Sequence, residues 1–283
     1  MIRVLTIDGM KSEVRRRRAA GLTVGFVPTM GALHEGHLSL VRESRRKADV
    51  TVVSIFVNPL QFGAGEDLAK YPRDIEGDAA LLEGEGVDVL FLPEAAEMYP
   101  PGFQTAVEVV RLQESLCGAS RPGHFRGVAT VVLKLLNIVR PEVVFFGQKD
   151  AQQAVILGRL AADLNLDVEV RVMPIVREPD GLAMSSRNAY LSPAERRAAA
   201  VLYRGIEEAR RAFEAGERRA GVISARVREV IAGEPLARID YVEAVGWPDL
   251  GCLDLIDRDA LVAVAVRIGG TRLIDNTILV AKG

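Results

Sequence analysis

The chain has 283 residues, 49% hydrophobic and 26% charged, enough for one large α/β domain or two domains with a substantial core. A net charge of −2 lacks the basic excess that nucleic-acid binding requires. No uninterrupted apolar run reaches the roughly 18 residues that span a bilayer, so neither nucleic acid nor a membrane is expected as a partner.

The N-terminus "MIRVLTIDGM" has no signal-peptide layout. Cys117 and Cys252 have no metal-ligand spacing, which suits a reducing cytoplasm better than a disulfide framework. The run Arg15 to Arg18, with Glu13 and Asp8 close by, reads as the solvated face of a first helix. "LTVGFV", residues 22–27, predicts a buried strand, and 34–48 a helix with Leu38 and Val41 on one side. "VTVVSIFV", 50–57, predicts a central strand covered on both faces. A helix near 74–85, a strand at 87–92, a helix at 128–139, a strand at 143–146, a helix at 150–164 and a strand at 167–173 follow. Strand alternating with helix predicts a parallel sheet with helices on both faces. After Met173 comes a polar loop. Residues 193–232 then predict two helices broken near Gly216, opened by Ser192, Pro193 and Glu195. Three alternating segments at the end predict antiparallel strands. The expected architecture is α/β: a Rossmann-like doubly wound parallel sheet over 1–178, with a smaller α+β lid domain of helices and a three-stranded antiparallel sheet over 179–283.

Two of the three histidines, His34 and His37, fall in "PTMGALHEGHLSL". A strand ends at Val27, the chain turns through Pro28 and Gly31, and a helix starts near His34. This places a helix N-terminus at the carboxyl edge of a parallel sheet, where such sheets bind ligands and where unpaired N–H groups favour phosphate. Residues three apart share a helix face, and Gly36 lets a ring or phosphate come close. Taken alone, the pair also fits a surface helix or a metal site. The flanking glycines, strand and helix favour a phosphate clamp that donates protons.

"FFGQKDAQQ", 145–153, repeats the strand, glycine turn and helix, with Lys149 as a mobile cation and Asp150, Gln152 and Gln153 as polar partners; a charged helix cap is the equal alternative. "MSSR", 184–187, offers two hydroxyls and an arginine to phosphate oxygens, or is an exposed turn. Asn58 and Gln61 follow a central strand, and the Gly-rich stretch after them has lid character. "RPGHFRG", 121–127, sets His124 between two arginines, for an anion or as a helix cap.

The HxGH at the first helix start and the serine-bearing loop resemble the nucleotidyl-transferring superfamily of class I aminoacyl-tRNA synthetases and cytidylyl- and adenylyltransferases. "PTMGALHEGHLSL", "FVNPLQF", "YPR", "RPGHFRGVATVVLKL", "VFFGQKDAQQ" and "GLAMSSRNAYL" together resemble the pantothenate synthetase (pantoate–β-alanine ligase) family. The resemblance covers nearly the whole chain and weakens after about Ser192. It implies ATP-dependent joining of D-pantoate to β-alanine through a pantoyl adenylate, with AMP and pyrophosphate released, Mg2+ as cofactor and a homodimer formed through an N-domain surface. It implies that Met30, Gly31, Ala32, Leu33, His34, Glu35, Gly36 and His37 hold ATP, His37 donating a proton. It assigns ATP contacts also to Gly147, Gln148, Lys149, Asp150, Val176, Met184, Ser185, Ser186 and Arg187. Gln61 would meet pantoate and β-alanine, Gln153 pantoate, and Asn58 would add a weaker contact. His34, His37 and Lys149 form the expected catalytic set. After "YPR" some relatives carry acidic Mg2+ ligands; here "DIEGDAALL" offers only Asp78 as a close match, so the metal ligands are unknown. A nucleotidylyltransferase, which keeps the nucleotide on its product, and a nucleotide-binding sensor are the rival readings.

Overall fold

The computed structural model describes residues 1–281; the last two residues of the expected 179–283 domain lie outside the described residues. The chain forms two compact units. The first contains 1–111, 121–147 and 156–174; the second contains 112–120, 148–155 and 175 onwards.

The first unit is built on β1 (Ile2–Val4), β2 (Val24–Thr29), β3 (Val50–Ile55), β4 (Val89–Phe91), β5 (Val143–Gly147) and β6 (Glu169–Met173). All neighbours pair in parallel, in the order β1-β4-β3-β2-β5-β6. The order reverses between β2 and β5, so the loops leaving those strands open at the switch point, where open α/β sheets bind ligands. β3 is buried along its whole length, as its unbroken β-branched run requires. The strand expected at 50–57 ends two residues sooner.

Helices α1 (Ile7–Ala19), α2 (Glu35–Lys47), α3 (Ile75–Gly84), α4 (Ala95–Met98) and α6 (His124–Val139) belong to this unit, and α5 (Leu116–Ser120) to the second. One face of the sheet buries Val27, Val53, Leu90 and Phe145 with Leu38 and Val41 of α2 and Ala79 and Leu82 of α3. In α1, Arg16 and Arg17 pair with Glu13, and Arg18 with Glu142. α6 starts at His124 rather than the expected 128. Gly123, with φ of 83°, turns the chain into it, and Phe125 is already buried, so the polar first turn hides a helix that the apolar run alone dates too late. β1, α4 and α5 were too short to carry a period and went unpredicted.

α7 (Ala151–Asp163) follows a 3-10 turn at Gln148–Asp150. The second unit has α8 (Pro193–Ala199), α9 (Val201–Glu214) and α10 (Ala220–Ala232), then the antiparallel β7 (Ala237–Gly246), β8 (Ala260–Ile268) and β9 (Thr271–Leu279) in that order. The expected two helices are therefore three. The extra break, at Ala200, involves neither glycine nor proline. The start of α8 is the capping box read from sequence: Ser192 Oγ accepts from Glu195 N–H, and the Glu195 carboxylate from Ser192 N–H.

Candidate active site

In the first unit the loop after β2 is shaped by residues far away in sequence. Gly31 has φ of 83°, and a Cβ there would lie 3.0 Å from both Asp78 Oδ2 and Ile55 Cγ2, so the turn favours glycine in conformation and in space. Buried Asp78, on α3, accepts from the N–H groups of Ala32 (2.8 Å) and Leu33 (2.7 Å). Burial pushes its carboxyl up, and those two N–H groups oppose the shift. Thr29 Oγ1 accepts from Gly31 N–H and donates to Ser54 C=O.

His34 is the N-cap of α2. Its Nδ1 accepts from Gly36 N–H at 3.1 Å, and His37 Nδ1 accepts from His34 N–H at 3.4 Å. The two rings lie 4.1 Å apart. An Nδ1 that accepts leaves the proton of a neutral imidazole on Nε2, so the caps set both rings in the donor tautomer. The expected cradle of unpaired N–H groups is corrected here: the N–H groups of 31, 32, 33, 34 and 36 are turned to Thr29, Asp78, His37 and His34. What this loop can offer an anion is therefore the imidazoles and the helix dipole.

Gln61 lies in a 3-10 turn, 59–61, after β3. Its Nε2 donates to Met30 Sδ at 3.0 Å, and its Oε1 accepts from Asn58 Nδ2 at 3.0 Å. Asn58 is 1% exposed. Its Nδ2 also donates to Gly127 C=O, and its Oδ1 accepts from Tyr99 O–H (2.7 Å) and Leu60 N–H. Burial raises the Tyr99 phenol, which keeps it a donor. Asn58 thus orients Gln61 from beneath. Gly127 makes this possible: a Cβ there would sit 2.3 Å from Leu60 C=O oxygen and 2.6 Å from Gln61 N.

Arg121 and His124 hold the same turn from the other side. Arg121 pairs with Glu66 (2.6 Å) and donates to His124 Nε2 (3.0 Å), and His124 Nδ1 donates to Gln61 C=O (2.8 Å). Burial pushes the Glu66 carboxyl up, but Arg121, Gly63 N–H and His124 outweigh it and hold it at about 2. Tyr99, Arg121 and Glu66 were not singled out as site residues, although Arg121 lies in "RPGHFRG" and Glu66 in the Gly-rich stretch after Gln61.

In the second unit, Lys149 stands 3.6 Å from the Asp150 carboxylate, and its backbone C=O, like that of Gln148, accepts from Asn276 Nδ2. Gln153 is half-buried. Its neighbour Gln152, equally offered by the sequence, is spent on the fold: its Oε1 accepts from Cys117 N–H and its Nε2 donates to the carbonyls of Leu112 and Ser115. Val176 and Met184 are brought together by a short hairpin, with Met184 N–H on Val176 C=O at 3.0 Å. Ser185 Oγ caps the following 3-10 turn by accepting from Arg187 N–H at 3.2 Å, which leaves its O–H able to donate. Among the described residues there is no group of three or more His, Cys, Asp or Glu that could hold a metal ion, and no helix is long and apolar enough to cross a membrane.

The profile of the pantoate-beta-alanine ligase family matches residues 3–278. The pantothenate synthetase of Pelotomaculum thermopropionicum is 58% identical, covering 97% of each chain. The crystal structure of pantothenate synthetase from Thermus thermophilus superposes with a TM-score of 0.93 at 46% identity, covering 98% of this chain and 99% of the other. That of the pantoate-beta-alanine ligase from Francisella tularensis, complexed with beta-gamma ATP and beta-alanine, gives 0.80 at 33% identity, over 98% and 97%.

Proposed function

The chain belongs to the pantoate-beta-alanine ligase family, and from that premise we propose how its own residues carry out ATP-dependent ligation of pantoate to β-alanine. The observation that carries the assignment of roles is the Gln61–Met30 contact. It brings a polar amide from the end of β3 to the loop after β2, 31 residues away in sequence.

In the first step a pantoate carboxylate oxygen attacks the α-phosphorus of ATP. A P–O bond forms, the bond to the β-phosphate breaks, and pyrophosphate leaves with the electron pair. The barrier includes repulsion between anions, which His34, His37 and Lys149 offset as placed donors and a cation. His37 protonates the departing phosphate through Nε2. Met30, Gly31, Ala32, Leu33, Glu35 and Gly36 form the wall against which ATP lies, and Gly147, Gln148, Asp150, Val176, Met184, Ser185, Ser186 and Arg187 supply its other contacts. In the second step the β-alanine amine attacks the acyl carbon; C–N forms, acyl C–O breaks, and AMP leaves. Gln61 Nε2 has a second N–H beyond the one on Met30. That N–H serves pantoate and then β-alanine, with Gln153 on pantoate. Asn58 contributes by holding Gln61.

Mg2+ is proposed to arrive with the nucleotide. Among the described residues no three His, Cys, Asp or Glu side chains are grouped to hold an ion, and Asp78 accepts from the loop N–H groups; such ions commonly rest on phosphates with few carboxylates. When bound, the ion neutralises phosphate charge. A homodimer, a cytoplasmic location and a lid role for 179–283 complete the proposal.

Pyrophosphate and AMP are to be measured with ATP, pantoate and β-alanine, each omitted in turn. Pyrophosphate release needing only ATP and pantoate, with AMP appearing when β-alanine is added, is expected. A product that retains the nucleotide would transfer the chain to nucleotidylyl transfer.

A further inference from the structure

Strand β9 carries a buried polar pair that reaches two segments far from it in sequence. Asp275 and Asn276 are 2% and 3% exposed. As consecutive strand residues, they send their side chains to opposite faces. Asn276 acts on the turn at 148–150. Its Nδ2 donates to the carbonyls of Gln148 (2.9 Å) and Lys149 (3.0 Å), and its Oδ1 accepts from Gln148 Nε2 (3.2 Å). Asp275 acts on the hairpin from Val176 to Met184. It receives both arms of Arg177 (2.7 and 2.9 Å). Arg177 in turn donates to Gly181 C=O (2.9 Å) and lies 4.7 Å over the Tyr203 ring.

Strand pairing does not require these contacts, because β9 is already laddered to β8 along 271–279. A pair of apolar residues would fill the same places without desolvating a carboxylate, a guanidinium and an amide. What the polar pair adds is direction: two carbonyls of one turn and the one arginine of the hairpin are fixed from a single dipeptide.

We propose that Asp275 and Asn276 are positioning residues for the ATP-dependent step, Asn276 aiming Lys149 through the turn at 148–150 and Asp275 holding the hairpin that joins Val176 to Met184. This rests on the ATP-binding roles proposed above for those segments. Neither residue touches substrate. Asn276 is suited to its part because an amide both donates and accepts; alanine does neither, and aspartate would set a carboxylate against two carbonyl oxygens.

The test separates the half-reactions. In Asn276→Ala, pyrophosphate release from ATP and pantoate should fall roughly tenfold or more, the scale of lost buried hydrogen bonds, with a raised KM for ATP. Attack of β-alanine on pre-formed pantoyl adenylate, which keeps the AMP moiety but has already lost the β- and γ-phosphates whose charge Lys149 offsets, should stay within about twofold of wild type. Adding Asn276→Ala to Lys149→Ala should cost little further, because the two act on one group. Asp275→Asn, which keeps the shape and loses the charge on Arg177, should raise the KM for ATP in the same assay, and serves if Asn276→Ala does not fold. Equal slowing of both half-reactions, or full additivity with Lys149→Ala, overturns the inference. Wild-type protein run alongside separates the two levels: no pyrophosphate from wild type removes the functional reading itself, whereas an active wild type with an unsplit variant removes only the positioning role.

Discussion

His34 and His37 cap the start of α2, and the role proposed for them in the reaction rests on the same contacts. Each Nδ1 is spent on a backbone N–H at the start of α2, and this fixes which edge of the ring carries the proton. Replacing either by alanine is expected to slow adenylation by about 100-fold, the scale of a lost transition-state donor. Single-turnover pyrophosphate release checks this, with circular dichroism to show that α2 survives. Rates near wild type in both variants would remove the imidazoles from the chemistry. The histidines were legible in the sequence because the residue is scarce there. Asp78 stood out in the sequence only as a near match to a metal ligand; that it accepts from loop N–H groups 46 and 45 residues away was not legible there.

Glu66 supports a pH prediction of definite sign. Its carboxyl, ordinarily near 4.5, is held at about 2. A lowered value means that its pairing with Arg121 stabilises the fold fully above about pH 4.5 and is lost as pH falls towards 2. The difference in Tm between wild type and Glu66→Gln should be constant above that range and shrink through it. A difference independent of pH down to 2 would show that the ion pair contributes nothing.

Among the elements, α6 approaches the turn at 59–61 closely and so bears on where Gln61 sits. Gly127 has no room for a methyl group against Leu60 and Gln61. Gly127→Ala should therefore push the turn away, lower stability by roughly 1–3 kcal/mol as overpacking does, and raise the KM for pantoate more than that for ATP. Urea titration and steady-state kinetics read the two effects; unchanged pantoate affinity would mean that Gln61 does not depend on this contact. Sequence periodicity located these elements well where apolar runs were long, as in β3 and α2. It failed where a side chain far along the chain decides the outcome. Nothing around Ala200 marks the break between α8 and α9. The Asn58 amide is fixed by Tyr99 from 41 positions away, a pairing that no local pattern announces. The end of the chain gave weaker motif signals, yet Asp275 reaches Arg177 across 98 positions.

For the whole molecule, chemistry sets a requirement on timing. An acyl adenylate exposed to water hydrolyses, so water must be excluded before or while it forms. Residues 60–73 and 180–190 are expected to gain protection from hydrogen exchange when ATP and pantoate are both present, before β-alanine is added. Adenylate accumulating with neither segment protected would show a site formed in advance.

The division of the chain sets a limit on how it can be taken apart. Five changes of unit occur along the sequence, at 111/112, 120/121, 147/148, 155/156 and 174/175. Leu116 and Ala151, from the two early excursions, pack with Val245, Leu250, Leu261 and Ala263 of the last third. A gene fragment beginning after residue 174 would leave that apolar cluster without two of its members, and on a ribosome those members would wait, already made, until β8 emerged. The second unit is therefore not a cassette that recombination could lift out and graft elsewhere; inheritance of its parts is bound to inheritance of the first unit's sequence, which they interrupt.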